Sequence, residues 1–158
     1  MRLKNMLIIG LLVLSVLMIA GCGNKTTGSA VADTGSSEAA AEIESDYISI
    51  PLSDLSSEAK FYEYNDGGVK IKYFAVLGSD EKPRTAFDAC DVCGGYKGYQ
   101  QVGNDIKCRN CGRVFSIDGL GTKNKGYGCW PSYLPHEIQG DNVIIKTSDL
   151  QDGRKRFV

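Results

Sequence analysis

Apolar residues are distributed along this chain in three regimes. From residue 6 to residue 20 they run almost unbroken, interrupted only by Gly10 and Ser15. From residue 23 to about residue 45 the large ones nearly vanish, leaving Val31 and Ile43. From Tyr47 onward they return as short runs alternating with polar residues and separated by Gly, Asn, Asp and Pro, which is the pattern of strands and turns. Residues 47–52 alternate and are closed by Pro51. Residues 53–60 read as a turn or a short helix with a Ser/Asp capping start. Residues 61–64 and 69–77 are β-type runs joined by Asn65-Asp66-Gly67-Gly68, a hairpin signal. In the second run Val69, Ile71 and Tyr73 share one face and Lys70 and Lys72 the other, while residues 74–77 are apolar on both faces. That two-sided stretch is expected at the centre of a sheet.

Further along, residues 79–83 form another turn, and Thr85-Ala86-Phe87-Asp88-Ala89 lead into Cys90. Residues 96–102 and 106–107 flank Gly103-Asn104-Asp105, so a hairpin is expected to return the chain to Cys108. Strands are expected at 114–117 and, after the turn Gly140-Asp141-Asn142, at 143–146. A glycine-rich loop from 119 to 128 leads into Cys129-Trp130-Pro131. Neither an amphipathic helix nor an internal repeat stands out. The expectation is mainly β: a small β-rich domain over residues 46–158, preceded by a leader (1–21) and a flexible tether (22–45). Within the tether, residues 39–44 could form a helical turn or two.

The leader is read from its order of parts. Arg2 and Lys4 give a basic start, and the apolar run is shorter than the ~20 residues of a spanning helix. It ends in Ile19-Ala20-Gly21-Cys22, which resembles the lipobox of prokaryotic lipoproteins. That resemblance implies cleavage before Cys22, lipid on its thiol, and a domain held at the extracytoplasmic face of the cell membrane. Charge then excludes one class of partner. The whole chain carries −1; without Arg2 and Lys4 it has 16 basic against 19 acidic residues, or −3. Nucleic acid is not expected as a partner, because phosphate binding needs concentrated basic surface. The Arg154-Lys155-Arg156 run is read as solvated surface and a frayed tail.

The chemistry lies in the cysteines. Cys90-Asp91-Val92-Cys93-Gly94 and Cys108-Arg109-Asn110-Cys111-Gly112 are two Cys-x-x-Cys-Gly boxes, with 14 residues (94–107) between Cys93 and Cys108. Two thiols three apart fold round one metal in a tight turn, and two such turns supply a tetrahedron. Each following glycine suits that turn because it accepts a positive φ. Once Cys22 is set aside, five cysteines remain, an odd number that suits four ligands plus one better than disulfides. Cys90, Cys93, Cys108 and Cys111 are therefore the candidate metal ligands, with Cys129 a candidate fifth, exchangeable ligand or a buried inert thiol. Four thiolates suit zinc, a single iron or an iron–sulfur cluster, and the spacing alone favours zinc, as in zinc ribbons. His136, the single histidine, is read as an exposed loop residue. Asp88, Asp91 and Asp118, near the boxes, are expected to accept backbone N–H groups. No catalytic triad, nucleophile elbow or phosphate-cradling loop is present, so the chain reads as a redox carrier or metal-binding module more than an enzyme.

Residues 86–94, the box at 108–112 with Phe115, and Gly128-Cys129-Trp130-Pro131 resemble the FtrD-like membrane iron–sulfur protein family, with weaker likeness upstream to residue 50 and downstream to residue 143. The resemblance implies an iron or iron–sulfur centre on Cys90, Cys93, Cys108 and Cys111. It also implies a link to membrane electron transfer and, in some members, iron uptake, with a membrane redox or transport protein as partner. Longer members carry several membrane spans ahead of the domain, where this chain has the lipid-anchor signal. A fainter likeness joins the second box, the glycine-rich loop and the strand at 140–145 to Rieske domains, so the fold is expected to be zinc-ribbon-like, rubredoxin-like or Rieske-like. The alternative to the redox reading is a zinc-ribbon binding module; metal capture and handover through Cys129 is a third.

Overall fold

The β3–β4 hairpin sets the architecture. Strands β3 (Lys60–Asp66) and β4 (Val69–Leu77) pair antiparallel with Asp66 opposite Val69, leaving Gly67 and Gly68 as a two-residue loop. Both loop glycines have positive φ, +53° and +88°, as the tight turns that match strand twist demand. The computed structural model of the chain describes residues 42–43, 46–93, 96–126 and 128–158. The leader, Cys22, most of the tether, Gly94, Gly95 and Tyr127 lie outside these residues.

Three antiparallel sheets are built among the described residues. The first has the order β1-β2-β11-β10, from β1 (Glu42–Ile43), β2 (Tyr47–Pro51), β11 (Asn142–Lys146) and β10 (Glu137–Gln139). The second has the order β3-β4-β5-β9, adding β5 (Pro83–Cys90) and β9 (Pro131–Tyr133). The third is the meander β6 (Tyr99–Val102), β7 (Asp105–Cys108) and β8 (Val114–Ser116). Among the described residues there is one α-helix, α1 (Thr147–Asp152), a six-residue segment too short to show a period in the sequence. No helix among the described residues is long and apolar enough to cross a membrane.

The second sheet is the middle layer because β4 and β5 are apolar on both faces. Ile71, Tyr73, Ala75, Phe87 and Ala89 face one way and pack with Ile48 and Ile50 of β2, Val143 and Ile145 of β11, and Leu150 of α1. Phe74, Val76 and Ala86 face the other way and pack with Tyr99, Ile106, Cys108 and Phe115 of the third sheet, and with Ile117, Leu120 and Cys129. Burying each such large side chain contributes roughly 1.5–3 kcal/mol before entropy is counted. The two-sided stretch at 74–77 is thus central, as its pattern required.

Two local expectations are corrected. The Arg154-Lys155-Arg156 run is not a frayed tail but a 3-10 turn (Arg154–Arg156) docked on the domain. The Arg154 guanidinium donates to the Asp66 carboxylate at 2.7 Å and to the Asp66 carbonyl, while Arg156 lies over the Phe87 ring at 5.2 Å. Phe157 then packs against Tyr96 at 5.1 Å between ring centres. The residue just before the run decides this: Gly153 sits where a Cβ would come within 2.2 Å of the Phe87 ring, so the chain can lie flat on the core there. Of the stretch 39–44, the described residues 42–43 form strand β1 rather than part of a helical turn, pairing Glu42 with Ser49 and Ile43 with Ile48; the rest of that stretch lies outside the described residues.

Candidate metal centre

Alternation along β5 places the first box. Thr85, Phe87 and Ala89 point into the first core, so Ala86, Asp88 and Cys90 point towards the third sheet. The β6–β7 hairpin then brings the second box to the same place, with Tyr99 directly opposite Cys108. Gly103 turns that hairpin, and Gly112, at φ +75°, closes the second box by donating its N–H to the Cys108 carbonyl at 2.9 Å. The Cys93 N–H points at Cys90 Sγ at 3.4 Å, the arrangement expected of a metal-binding turn.

The fifth cysteine arrives by a route the sequence did not display. Strand β9 begins at Pro131 opposite Cys90, and the Asp91 N–H donates to the Trp130 carbonyl at 3.1 Å. This holds Cys129 against the first box. The sulfurs of Cys90, Cys93, Cys108 and Cys129 all lie within 4.8 Å of one another. Cys129 Sγ is 3.1 Å from Cys90 Sγ, 3.8 Å from Cys93 Sγ and 3.4 Å from Cys111 Sγ. Cys108 and Cys129 are buried, Cys90 and Cys93 half-buried, and Cys111 exposed. Five thiols therefore converge, with Cys129 in the compact group of four and Cys111 at its solvent side.

The thiols have unequal acidity in this arrangement. Burial would raise Cys90, but N–H groups of Val92 and Cys93 and the neighbouring Cys129 thiol outweigh it and hold the group down at about 7. The backbone N–H of Arg113, then the Cys129 thiol, lowers Cys111. Cys93 is pushed up to about 12, first by its bond to Cys90, and burial raises Cys129. Cys90 and Cys111 are thus the thiols readiest to meet a cation as thiolates.

Around the sulfurs the chain supplies a set of braces. Phe115 packs edge-on against Trp130 at 5.4 Å, and the Trp130 indole N–H donates to the Thr122 carbonyl at 3.0 Å. Asp88 accepts the Tyr99 N–H and the Tyr96 hydroxyl, both at 2.6 Å; burial nevertheless raises its carboxyl above the usual range. Gly98 must be glycine here, with φ +74° and space for a Cβ only 2.5 Å from Asp88 Oδ2. Asp91 accepts from the Ser132 hydroxyl at 2.6 Å, and Ser132 accepts from Arg156 Nε at 2.9 Å. The C-terminal turn therefore braces the first box. A cleft of about 630 Å³ runs between that turn and the box, lined by Val92, Tyr96, Lys97, Lys155 and Phe157 among others.

Among the three acids near the boxes, Asp88 and Asp118 do accept backbone N–H groups, Asp118 from Ser79 at 2.7 Å. Asp91 instead takes side-chain donors. His136 lies away from the thiols and is half-buried rather than exposed, its Nδ1 2.8 Å from Thr85 Oγ1 on the opposite face of β5 from Cys90. Tyr99, Ser132 and Arg156 carried no signal in the sequence; only the hairpin register could have pointed to Tyr99.

A mainly β domain whose cysteine-bearing turns gather thiols around one point defines a class, the small thiolate metal proteins. The chain belongs to the FtrD-like family, described as membrane iron–sulfur containing proteins, which its residues 55–157 match. Neither curated proteins nor solved structures give a match. The donor set fits such a centre: the group that converges among the described residues is made of thiols, and a tetrahedral thiolate site has sulfurs about 3.8 Å apart when metal–sulfur bonds are about 2.3 Å.

Proposed function

We propose that this protein is a one-electron carrier tethered to the cell membrane. The observation that carries the reading is the convergence of five thiols, four within 4.8 Å, in a domain of the membrane iron–sulfur family. Iron held by four thiolates supplies reversible one-electron exchange. The chain's residues do the rest. Cys90, Cys93, Cys108 and Cys129 hold the metal, and Cys111 stands at the exposed edge as the replaceable thiol. Phe115, Trp130 and Ile106 keep water from the inner side, while Lys97 and Lys155 flank the cleft beside the first box. A membrane redox or transport protein with an acidic docking face fits that cleft. Compact sulfurs favour a single iron, because thiolates on different irons of a cluster stand farther apart.

Attachment through lipid on Cys22 would hold the domain at the extracytoplasmic face, and residues 23–45 would give it reach. Such tethering raises the effective concentration at a membrane partner. Anaerobic purification of the full chain, with iron, zinc and labile-sulfide analysis and a visible spectrum, tests the centre. A coloured protein that bleaches on reduction is expected. A colourless protein holding one zinc ends the carrier reading and leaves a zinc-ribbon module. For the anchor, Cys22→Ala is expected to release the chain from the membrane fraction; continued attachment with unchanged processing defeats it.

A further inference from the structure

Among the described residues, the third sheet carries a buried polar atom beside the sulfurs for which the protein supplies no hydrogen-bond partner. Tyr99 is 2% exposed and its hydroxyl makes no hydrogen bond. Its backbone is fixed from several sides. The Tyr99 N–H goes to Asp88, its carbonyl accepts Arg109 Nε at 3.0 Å, and the residue pairs across the hairpin with Cys108. The ring is held by Phe74 and Phe115, with centroids 6.2 and 6.3 Å away. So fixed, the ring lies in the same buried cluster as Cys108 and Cys129, with Cys90 and Cys93 packed against it, close enough for charge on Cys90, Cys129 and Cys108 to act on the phenol.

A buried hydroxyl without a partner costs roughly 1–3 kcal/mol, and native interiors rarely keep one without a use. A neutral thiol is a weak acceptor. A thiolate on a metal carries negative charge and is a strong one, so the hydroxyl gains its partner when the centre forms. Phenylalanine would fill the same apolar space without leaving a hydroxyl to satisfy. A phenol is protonated at neutral pH, so the hydroxyl is able to donate.

We propose that Tyr99 is a positioning and tuning residue of the metal centre, its O–H donating to the Cys90 thiolate once metal is bound. This rests on the four-thiolate reading above. An O–H···S bond draws charge from the sulfur and stabilises the more negative, reduced state of the centre. The bond therefore raises the reduction potential and moves sulfur-to-metal charge-transfer absorption to higher energy.

The test uses the full chain with Tyr99→Phe, which keeps the ring and deletes the hydroxyl. Metal content is expected to stay at the wild-type level, with a more negative midpoint potential and a red-shifted charge-transfer band. Site-specific 3-fluorotyrosine at position 99, a stronger donor of nearly the same shape, is expected to move both quantities the opposite way. Cobalt(II) loading separates the two ideas. Should the native metal prove to be zinc, the carrier reading falls, and the cobalt charge-transfer band still reports the bond. Equal band positions in wild type, Tyr99→Phe and the fluorinated protein at equal metal content would overturn the proposal. A Tyr99→Phe protein that does not fold leaves the fluorinated protein to decide, since an unmoved band there refutes it as well.

Discussion

The two faces of the middle sheet are built from the same kinds of residue and do different work. On one face Ile71, Tyr73 and Phe87 meet aliphatic side chains from β2, β11 and α1, and the layer is apolar almost throughout. On the other, Phe74, Val76 and Ala86 meet a meander whose far end carries thiols, and Cys108 and Cys129 are part of the packing itself. The first face can be stabilised by burial alone. The second also buries thiols that a bound metal would engage, so its rigidity is expected to depend on its ligand. Strands β4 and β5 belong to both, and a disturbance on one face is felt by the other through them.

The largest effect that separates the faces is expected at Cys108, which is 1% exposed and lies at the end of β7. Cys108→Ser replaces a metal ligand by a harder, poorly matched oxygen. Metal content, measured after desalting, should fall to background, and the third sheet should lose hydrogen-exchange protection before the first. Retention of one metal per chain in this variant would mean that the compact thiol group is not the binding site. Ile145→Ala is the counterpart on the other face, at 0% exposure in β11. It should cost about 2–5 kcal/mol in chemical unfolding and leave metal content per folded chain unchanged. If it stripped the metal as effectively as Cys108→Ser does, the two faces would not be separable.

Gly153→Ala probes the link between them. An added Cβ would lie 2.2 and 2.3 Å from two atoms of the Phe87 ring, which belongs to the first core. The same glycine launches the turn whose Arg156 reaches Ser132 and, through it, Asp91 in the first box. Overpacking of this kind costs about 1–3 kcal/mol. The substitution should lower stability by that amount and also weaken metal retention in a chelator competition. A loss of stability with chelator resistance intact would show that the C-terminal brace does not act on the metal box.

How much of this was legible beforehand follows from where the information sits. The β3–β4 hairpin and the two-sided stretch at 74–77 were readable, because turn chemistry and alternation are local. Cys90, Cys93 and Cys108 were readable for the same reason, since the boxes carry their own spacing. Strand β9 was not: Pro131-Ser132-Tyr133 shows no alternation, and only its pairing with β5 makes it a strand. With it went the position of Cys129, which stood in the sequence as a leftover and lies in space within the compact group of four. Sequence spacing favours Cys111 as the partner of Cys108, while the fold gives Cys129 the buried position. The C-terminal basic run misled for a related reason. Its charges resemble a solvated tail, and the features that dock it, the bare Gly153 and the acceptors Asp66 and Ser132, lie elsewhere in the chain or lack a side chain.

The smallest expected effect concerns His136, which tests the first face without touching the second. Thr85 Oγ1 has one proton and donates it to the Leu134 carbonyl at 2.7 Å. At 2.8 Å, His136 Nδ1 must then be the donor to Thr85, which fixes the neutral tautomer with its proton on Nδ1. Burial first, and the nearby Arg84 charge second, hold the imidazole below its ordinary value. The folded-state pKa therefore lies under the unfolded value of ~6.5, and above that pH both states are neutral and the group adds no slope. As pH falls through ~6.5 the unfolded chain takes up the proton first, so stability declines until the folded-state value is passed and then levels off. Carboxylates and metal-bound thiolates titrate in the same direction, so the quantity to measure is a difference. Urea midpoints of wild type and His136→Gln, followed between about pH 8 and pH 5, should converge as the pH is lowered through the histidine range. Parallel curves would place the imidazole in solvent and undo the tautomer assignment, while metal content should be equal in both proteins at the upper end of the series.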